Sequence, residues 1–236
     1  MATAGPCDRP PTVRRRARVP PSATEADPVQ RWSARRGRVV VRTRQDVSMG
    51  HVVLFHSVYG LRPAVLTAAD RLRAAGHQVA VPDLYGQPPV DTVEEGFALL
   101  DRIGQRAVLD RARAALDPLP PDTVLAGFSM GAGVAGAMLA ERPDTAGLLL
   151  LHGTGGSPAA VRPGLRVQMH LADPDAYDPP EEVDQWQRAM TAAGADLMVH
   201  RYPGAGHLFT DPTVPDHDPT AADLTWERAL AFLPQN

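Results

Sequence analysis

This sequence of 236 residues contains no lysine, and arginine supplies all 24 of its basic side chains. The absence of lysine excludes a P-loop, a Schiff-base enzyme and a serine–lysine dyad, because each of these needs a lysine amine. The single cysteine, Cys7, cannot form an intrachain disulfide or a cysteine-based metal site. No apolar run reaches the roughly 18 residues of a transmembrane helix, and the first residues lack the apolar core of a signal peptide. These absences predict a cytoplasmic protein without a membrane partner.

Acidic residues are scarce near the amino terminus. Residues 1–48 carry 11 arginines and four acidic residues, whereas the rest of the chain carries 13 arginines and 23 acidic residues. The first segment is also proline-rich and has no sustained apolar period, so it cannot bury enough apolar surface to offset its ordering entropy. We predict a disordered basic extension over 1–48, with a nucleic-acid or membrane arm, a transit peptide and a misassigned start codon as alternatives. The acidic remainder argues against a nucleic-acid partner.

From Met49 onward, short apolar runs alternate with helical patterns of ten or more residues. This alternation indicates βαβ units. We therefore predict one α/β domain over residues 49–236, with a mostly parallel sheet of six or seven strands and helices on both faces. The six runs are HVVLFHS, QVAVPDLYG, DTVLAGF, AGLLLLHG, LRVQMHLAD and ADLMVHRYPG, and GRVVVRTR is a candidate for one further edge strand.

The segment GFSMG, residues 127–131, directly follows the strand TVLAGF and opens a helix. That is the context of a nucleophile elbow, in which a sharp turn projects the serine hydroxyl above the sheet. Small residues on both sides of Ser129 let the strand and the helix converge, and the amide of Met130 would point toward a developing oxyanion. The alternative is a thin glycine-rich helix packed on the sheet, with Ser129 as its N-cap.

A serine nucleophile needs a base and an orienting acid, which in α/β-hydrolases follow it in the order acid, then histidine. His207 lies in a glycine-rich loop just after the last predicted strand, where ligand sites gather in open parallel sheets. It is therefore the predicted base. The segment LADPDAYDPP offers Asp173, Asp175 and Asp178 as acids, and spacing alone leaves the three open.

Four stretches, VVLFHSVYGLRPAVLTAADRLRAAGHQVAVPDLYG, GFSMGAGVA, DAYDP and HRYPGAGHLF, together resemble the dienelactone hydrolase family of α/β-hydrolases. The resemblance implies an α/β-hydrolase fold and hydrolysis of an ester or lactone through an acyl-enzyme, with no metal and no organic cofactor. It selects Asp175 as the acid, because Asp175 opens a family segment of the form Asp-x-aromatic-x-Pro; Asp173 is the fallback. It also implies an oxyanion hole formed by the backbone amides of Met130 and Val58.

The sequence departs from the best-known family members at three positions. Ser129 replaces a cysteine nucleophile, and Ser57 replaces a glutamate that contacts the resting cysteine. Asp211 stands where an arginine would bind a substrate carboxylate, and an acid there would repel an anion. We therefore expect a small neutral ester or lactone as substrate, and a non-catalytic ligand-binding protein of the same fold is the alternative. The pocket residues implied are Ser57, Tyr59, Phe97, Tyr177 and Leu208.

Overall fold

The structure, a computed structural model, describes residues 50–235. The predicted basic extension over 1–48 and the candidate strand GRVVVRTR lie outside the described residues.

One sheet of six parallel strands organises the described part of the chain. The strands are β1 (His51–Phe55), β2 (Gln78–Ala80), β3 (Val124–Phe128), β4 (Leu148–Leu151), β5 (Arg166–Asp173) and β6 (Asp196–Pro203). Their spatial order is β2-β1-β3-β4-β5-β6, so β3 and β4 lie in the interior and β6 forms one edge. This confirms the predicted α/β-hydrolase architecture.

Helices cover both faces of this sheet. Alternate residues of each strand point to opposite faces, so Val53 and Phe55 of β1 enter one apolar cluster while Val52 and Leu54 enter the other. The helices are α1 (Pro63–Ala74), α2 (Val93–Ile103), α3 (Gln105–Leu116), α4 (Met130–Ala137), α5 (Pro180–Ala192) and α6 (Pro219–Phe232). In the described residues, α1 and α6 pack against the second cluster, and α2, α3, α4 and α5 pack against the first.

Two elements are shorter than their sequence patterns predict. The run QVAVPDLYG forms a strand only over Gln78–Ala80, because Pro82 has no amide hydrogen and the chain then turns away from the sheet. The helix that the GFSMG segment opens is α-helical only to Ala137, and the chain continues as a single 3-10 turn over Met138–Ala140. None of the helices in the described residues has the length and apolar character that crossing a membrane requires.

A buried histidine makes the fold sensitive to acid. His170 of β5 is fully buried, and its ring nitrogens contact the Tyr202 hydroxyl at 2.8 Å and Gln168 Oε1 at 3.0 Å. Burial, followed by the charges of His200 and Arg228, lowers the pKa of His170 from 6.5 to about 3. Between these values the unfolded chain binds more protons than the folded chain, so stability is full above pH 6.5 and falls as the pH drops.

We expect a measurable share of the acid sensitivity to disappear in the variant His170→Gln. The wild type should lose up to about 1.4 kcal/mol of unfolding free energy per pH unit below 6.5 from this group alone. Urea unfolding at pH 7.5 and pH 5.5 measures the change in both proteins. A variant that loses as much unfolding free energy between the two pH values as the wild type would contradict this role for His170.

Candidate active site

Ser129 lies at the carboxyl end of the interior strand β3, on the turn that leads into α4. Its backbone has φ 50° and ψ −111°, a positive-φ conformation that costs free energy for a residue with a side chain. The turn is held by the Ser129 amide, which donates to the Leu151 carbonyl at 2.7 Å. The side chain makes no N-cap hydrogen bond to α4, so the hydroxyl is available for another partner.

Two glycines allow the strand and the helix to converge at this turn. A Cβ atom on Gly127 would lie 2.1 Å from the Gly131 carbonyl oxygen. One on Gly131 would lie 2.4 Å from the Phe55 carbonyl oxygen and 2.6 Å from that of His56. All of these contacts are with backbone, which cannot rotate out of the way. The sequence pattern of small residues around Ser129 therefore has a direct steric cause.

We expect Gly131→Ala to destabilise the protein by about 2 kcal/mol or more and to lower any activity that depends on Ser129. The added methyl group would push the end of β1 away from the turn. Gly133→Ala is the matched control, because it is on the same helix and a Cβ there meets nothing within 4 Å. The control should gain about 0.5–1 kcal/mol from helix propensity. Thermal unfolding of both variants checks the pair, and equal shifts would contradict the steric argument.

The structure brings Ser129, His207 and Asp175 into one chain of hydrogen bonds. Ser129 Oγ lies 2.9 Å from His207 Nε2, and His207 Nδ1 lies 2.8 Å and 2.9 Å from the two carboxylate oxygens of Asp175. The side chains of His207 and Asp175 are 9% and 1% exposed, so the pair is shielded from water. His207 follows β6 and Asp175 follows β5, and both loops therefore lie at the carboxyl edge of the sheet with Ser129.

The other two candidate acids occupy different places. Asp173 is the last residue of β5, and its carbonyl oxygen accepts a hydrogen bond from the Gly204 amide. Asp178 accepts a hydrogen bond from the Thr154 amide at 3.2 Å. Burial, and next the charge of Asp175, raises the pKa of Asp178. Donor atoms of Asp178, Asp175 and His207 lie within 4.8 Å of one another, a spacing that could hold a metal ion. Two of these three groups, His207 and Asp175, already hydrogen-bond to each other.

The predicted oxyanion residues, Val58 and Met130, are joined by the buried hydroxyl of Tyr85. That hydroxyl lies 3.1 Å from the Val58 carbonyl, to which it donates, and 3.2 Å from Met130 Sδ. Burial raises the pKa of Tyr85 to about 12, so the hydroxyl keeps its proton at ordinary pH. Gly96 of α2 approaches the same loop so closely that a Cβ atom there would lie 2.6 Å from the Val58 oxygen. Tyr85 and Gly96 therefore fix the loop that carries the Val58 amide.

A cleft opens over Ser129 and His207. Four of the five predicted pocket residues line it; the fifth, Ser57, is buried and lines a neighbouring cavity with Asp211 instead. Asp211 is bonded there by Thr213, whose amide and hydroxyl both donate to its carboxylate. The predicted residues at the cleft are Val58, Tyr59, Phe97, Ser129, Tyr177, His207 and Leu208.

Val93 and Asp216 also line this cleft, and neither was predicted from the sequence. Asp216 accepts a hydrogen bond from the Leu208 amide at 3.0 Å. It also packs on Gly206, where a Cβ atom would lie 2.7 Å from the Asp216 side chain. An acid does therefore face the cleft, but it is Asp216 rather than the expected Asp211. The sequence feature that could have indicated Asp216 is the acidic turn PDHDP, residues 215–219. Tertiary contacts alone bring this turn back to the loop that carries His207.

The glycine-rich segment GTGG, residues 153–156, follows β4 and packs directly on the helix that begins after Ser129. A Cβ atom on Gly155 would lie 2.2 Å from the Ala132 carbonyl oxygen, and one on Gly136 would lie 1.8 Å from the Gly156 amide nitrogen. This segment therefore supports the position of α4.

The sequence of this chain is similar to those of known hydrolases. A sequence profile of the dienelactone hydrolase family matches residues 37–236. A carboxymethylenebutenolidase of Rhodococcus opacus is 27% identical over 200 residues, which cover 77% of this chain and 79% of that protein.

Solved structures show the same fold at lower sequence identity. One, from Klebsiella pneumoniae subsp. pneumoniae and provisionally described as a dienelactone hydrolase, superposes with a TM-score of 0.68 at 20% identity. The superposed region covers 81% of this chain and 89% of the Klebsiella chain. A dienelactone hydrolase-like promiscuous phosphotriesterase from metagenomic libraries has a TM-score of 0.65 at 22% identity and covers 77% and 84% of the two chains.

Proposed function

Because this chain belongs to the dienelactone hydrolase family, we propose that it hydrolyses a small carboxylic ester or lactone through an acyl-enzyme on Ser129. The observation that carries the proposal is the continuous hydrogen-bond chain from Ser129 Oγ through His207 to Asp175. A packing role for Ser129 requires neither a strained backbone nor a histidine at 2.9 Å from its hydroxyl.

The proposed reaction begins when Ser129 Oγ attacks the substrate carbonyl carbon and its proton passes to His207 Nε2. Asp175 holds the imidazole through Nδ1 and stabilises its charged form. The amides of Met130 and Val58 would stabilise the oxyanion. His207 then protonates the departing oxygen, which breaks the ester bond and leaves an acyl group on Ser129. Finally His207 takes a proton from water as the water oxygen attacks the acyl carbon. His207 then returns this proton to Ser129 Oγ as the acyl–oxygen bond breaks, which releases the acid and restores the Ser129 hydroxyl.

Charge at the cleft bears on the choice of substrate. Asp216 places a carboxylate on the cleft wall, and no arginine is among the lining residues of this cleft in the described part of the chain. A substrate carboxylate would be repelled here without a compensating cation. We propose that the substrate lacks a negative charge. The group that reacts is then a neutral ester or lactone, as expected from the sequence.

A fluorophosphonate probe tests the proposed nucleophile, because such probes phosphonylate an activated serine and leave ordinary serines unlabelled. We expect one adduct per chain, located by mass spectrometry on Ser129, together with hydrolysis of short p-nitrophenyl esters and of simple lactones. Preincubation with the probe should abolish this hydrolysis. Absence of an adduct and of hydrolysis would favour the alternative of a non-catalytic ligand-binding protein.

A further inference from the structure

We propose that the cleft over Ser129 binds esters that carry an ammonium group more tightly than uncharged esters of the same shape. This inference rests on the proposed function, since it names the class of substrate that the site selects. It concerns the part of the substrate away from the reacting carbonyl, so neutral esters remain substrates with weaker binding.

Aromatic rings supply the first part of the argument. Tyr59, Phe97 and Tyr177 line the cleft together with the catalytic residues. Phe97 is 46% exposed and Tyr177 is 50% exposed, so much of both rings is open to a ligand. The Tyr177 ring centre lies 4.6 Å from that of His207, which places it beside the reacting atoms. Aromatic faces attract cations, and aromatic cages are how proteins recognise quaternary ammonium groups.

A fixed carboxylate supplies the second part. Asp216 lies on the same cleft wall and is held by the hydrogen bond from the Leu208 amide, one residue beyond His207. Its position is therefore tied to the catalytic loop. Because it is held in place, this carboxylate can attract a substrate cation without first being ordered, which favours binding.

The guanidinium group of Arg62 lies close to one of these rings, but Arg62 is not among the residues that line the cleft. Its guanidinium carbon lies 4.8 Å from the Tyr59 ring centre, and its Nη2 donates to Thr213 Oγ1 at 2.6 Å. Burial raises the pKa of Tyr59; Arg62 opposes this, and the carboxylates of Asp216 and Glu94 add to it. The Tyr59 ring thus already accepts one cation, and the carboxylates of Asp216 and Glu94 lie near enough to act on the same ring.

Two acetate esters of the same shape test the proposal: choline acetate and 3,3-dimethylbutyl acetate, which differ by a quaternary nitrogen in place of a carbon. We expect kcat/KM to be about tenfold higher for the choline ester, mainly through KM. Rates are corrected with Ser129→Ala. The ratio of the two esters cancels any general loss of activity in a variant, and a ratio near one in the wild type would overturn the proposal.

Asp216→Asn should reduce this ratio to about threefold or less while keeping an oxygen to accept from the Leu208 amide. Asp144→Asn is the matched control, because it removes the same charge from an exposed loop before β4, at the opposite edge of the sheet. Its ratio should equal that of the wild type. Equal losses in both variants would assign the preference to net charge and overturn the role of Asp216.

Binding to the Ser129→Ala protein separates this inference from the proposed reaction. Choline should bind more tightly than 3,3-dimethylbutan-1-ol in calorimetric titrations, and Tyr177→Leu, at an exposed position, should weaken choline binding severalfold. Tighter choline binding without ester hydrolysis by the wild type would sustain the ligand class and refute the acyl-enzyme. Hydrolysis that depends on Ser129 but shows no preference for the cationic ester would support the acyl-enzyme and refute the proposed ligand class.

Discussion

Ser129→Ala is expected to lower kcat for p-nitrophenyl acetate by about 10⁴- to 10⁶-fold, with only oxyanion and binding contributions left. The variant lacks the oxygen that forms the acyl-enzyme, and His207 loses its 2.9 Å partner. The fold should persist, because the Ser129 side chain makes no helix-capping bond and the turn is held by the backbone bond to Leu151.

Steady-state rates and thermal unfolding, measured on the same preparations, check this result. Ser157→Ala is a suitable control, since Ser157 is an exposed serine whose hydroxyl only accepts from the Ala159 amide. It should hydrolyse the ester at the wild-type rate. Wild-type rates in Ser129→Ala would remove the serine mechanism, whereas a large loss accompanied by unfolding would trace the effect to the turn instead.

Asp175→Asn should cost about 10⁴-fold in kcat, because an amide cannot stabilise the charged imidazole and favours the wrong tautomer. The same substitution at two neighbouring acids, Asp178 and Asp173, serves as the comparison. Asp178 lies close to the pair but binds the Thr154 amide, so we expect Asp178→Asn to cost less than about tenfold. Asp173→Asn should cost least, since the Asp173 backbone, rather than its side chain, makes the contact with the catalytic loop.

Kinetics of the three variants on one ester, with circular dichroism to verify folding, rank the acids. The order Asp175, then Asp178, then Asp173 supports the proposed triad. A larger loss in Asp178→Asn than in Asp175→Asn would instead make Asp178 the orienting acid.

The sequence was sufficient to predict the sheet because each strand is a compact apolar run. The fully buried strand VLAGF and the strand LLLL can only be interior, and their order in the chain agrees with the parallel ladder. The edge strand β2 was overestimated because its run AVPDLYG is apolar for another reason. Leu84 and Tyr85 are fully buried, and Tyr85 packs beneath the loop that carries Val58 rather than in the sheet.

The candidate site likewise contains residues that could be predicted from the sequence and residues that could not. Ser129 and His207 could be located because local patterns, an elbow and a glycine-rich loop after a strand, mark them. Asp175 could not be separated from its neighbours by spacing, since the loop path after β5 decides which carboxylate reaches His207. Asp216 was missed because the acidic turn that holds it reaches the catalytic loop only through the Leu208 bond and contact with Gly206.

The three residues of the candidate triad follow unequal parts of the sheet. Ser129 follows β3, which pairs with a strand on each side. His207 follows β6, which within residues 50–235 pairs with β5 alone. An edge strand opens at a lower free-energy cost than an interior one. Heating should therefore separate His207 from Ser129 before the domain as a whole denatures. For the proposed reaction, the upper limit of the working temperature range would then be set by one margin of the sheet rather than by the melting point of the domain.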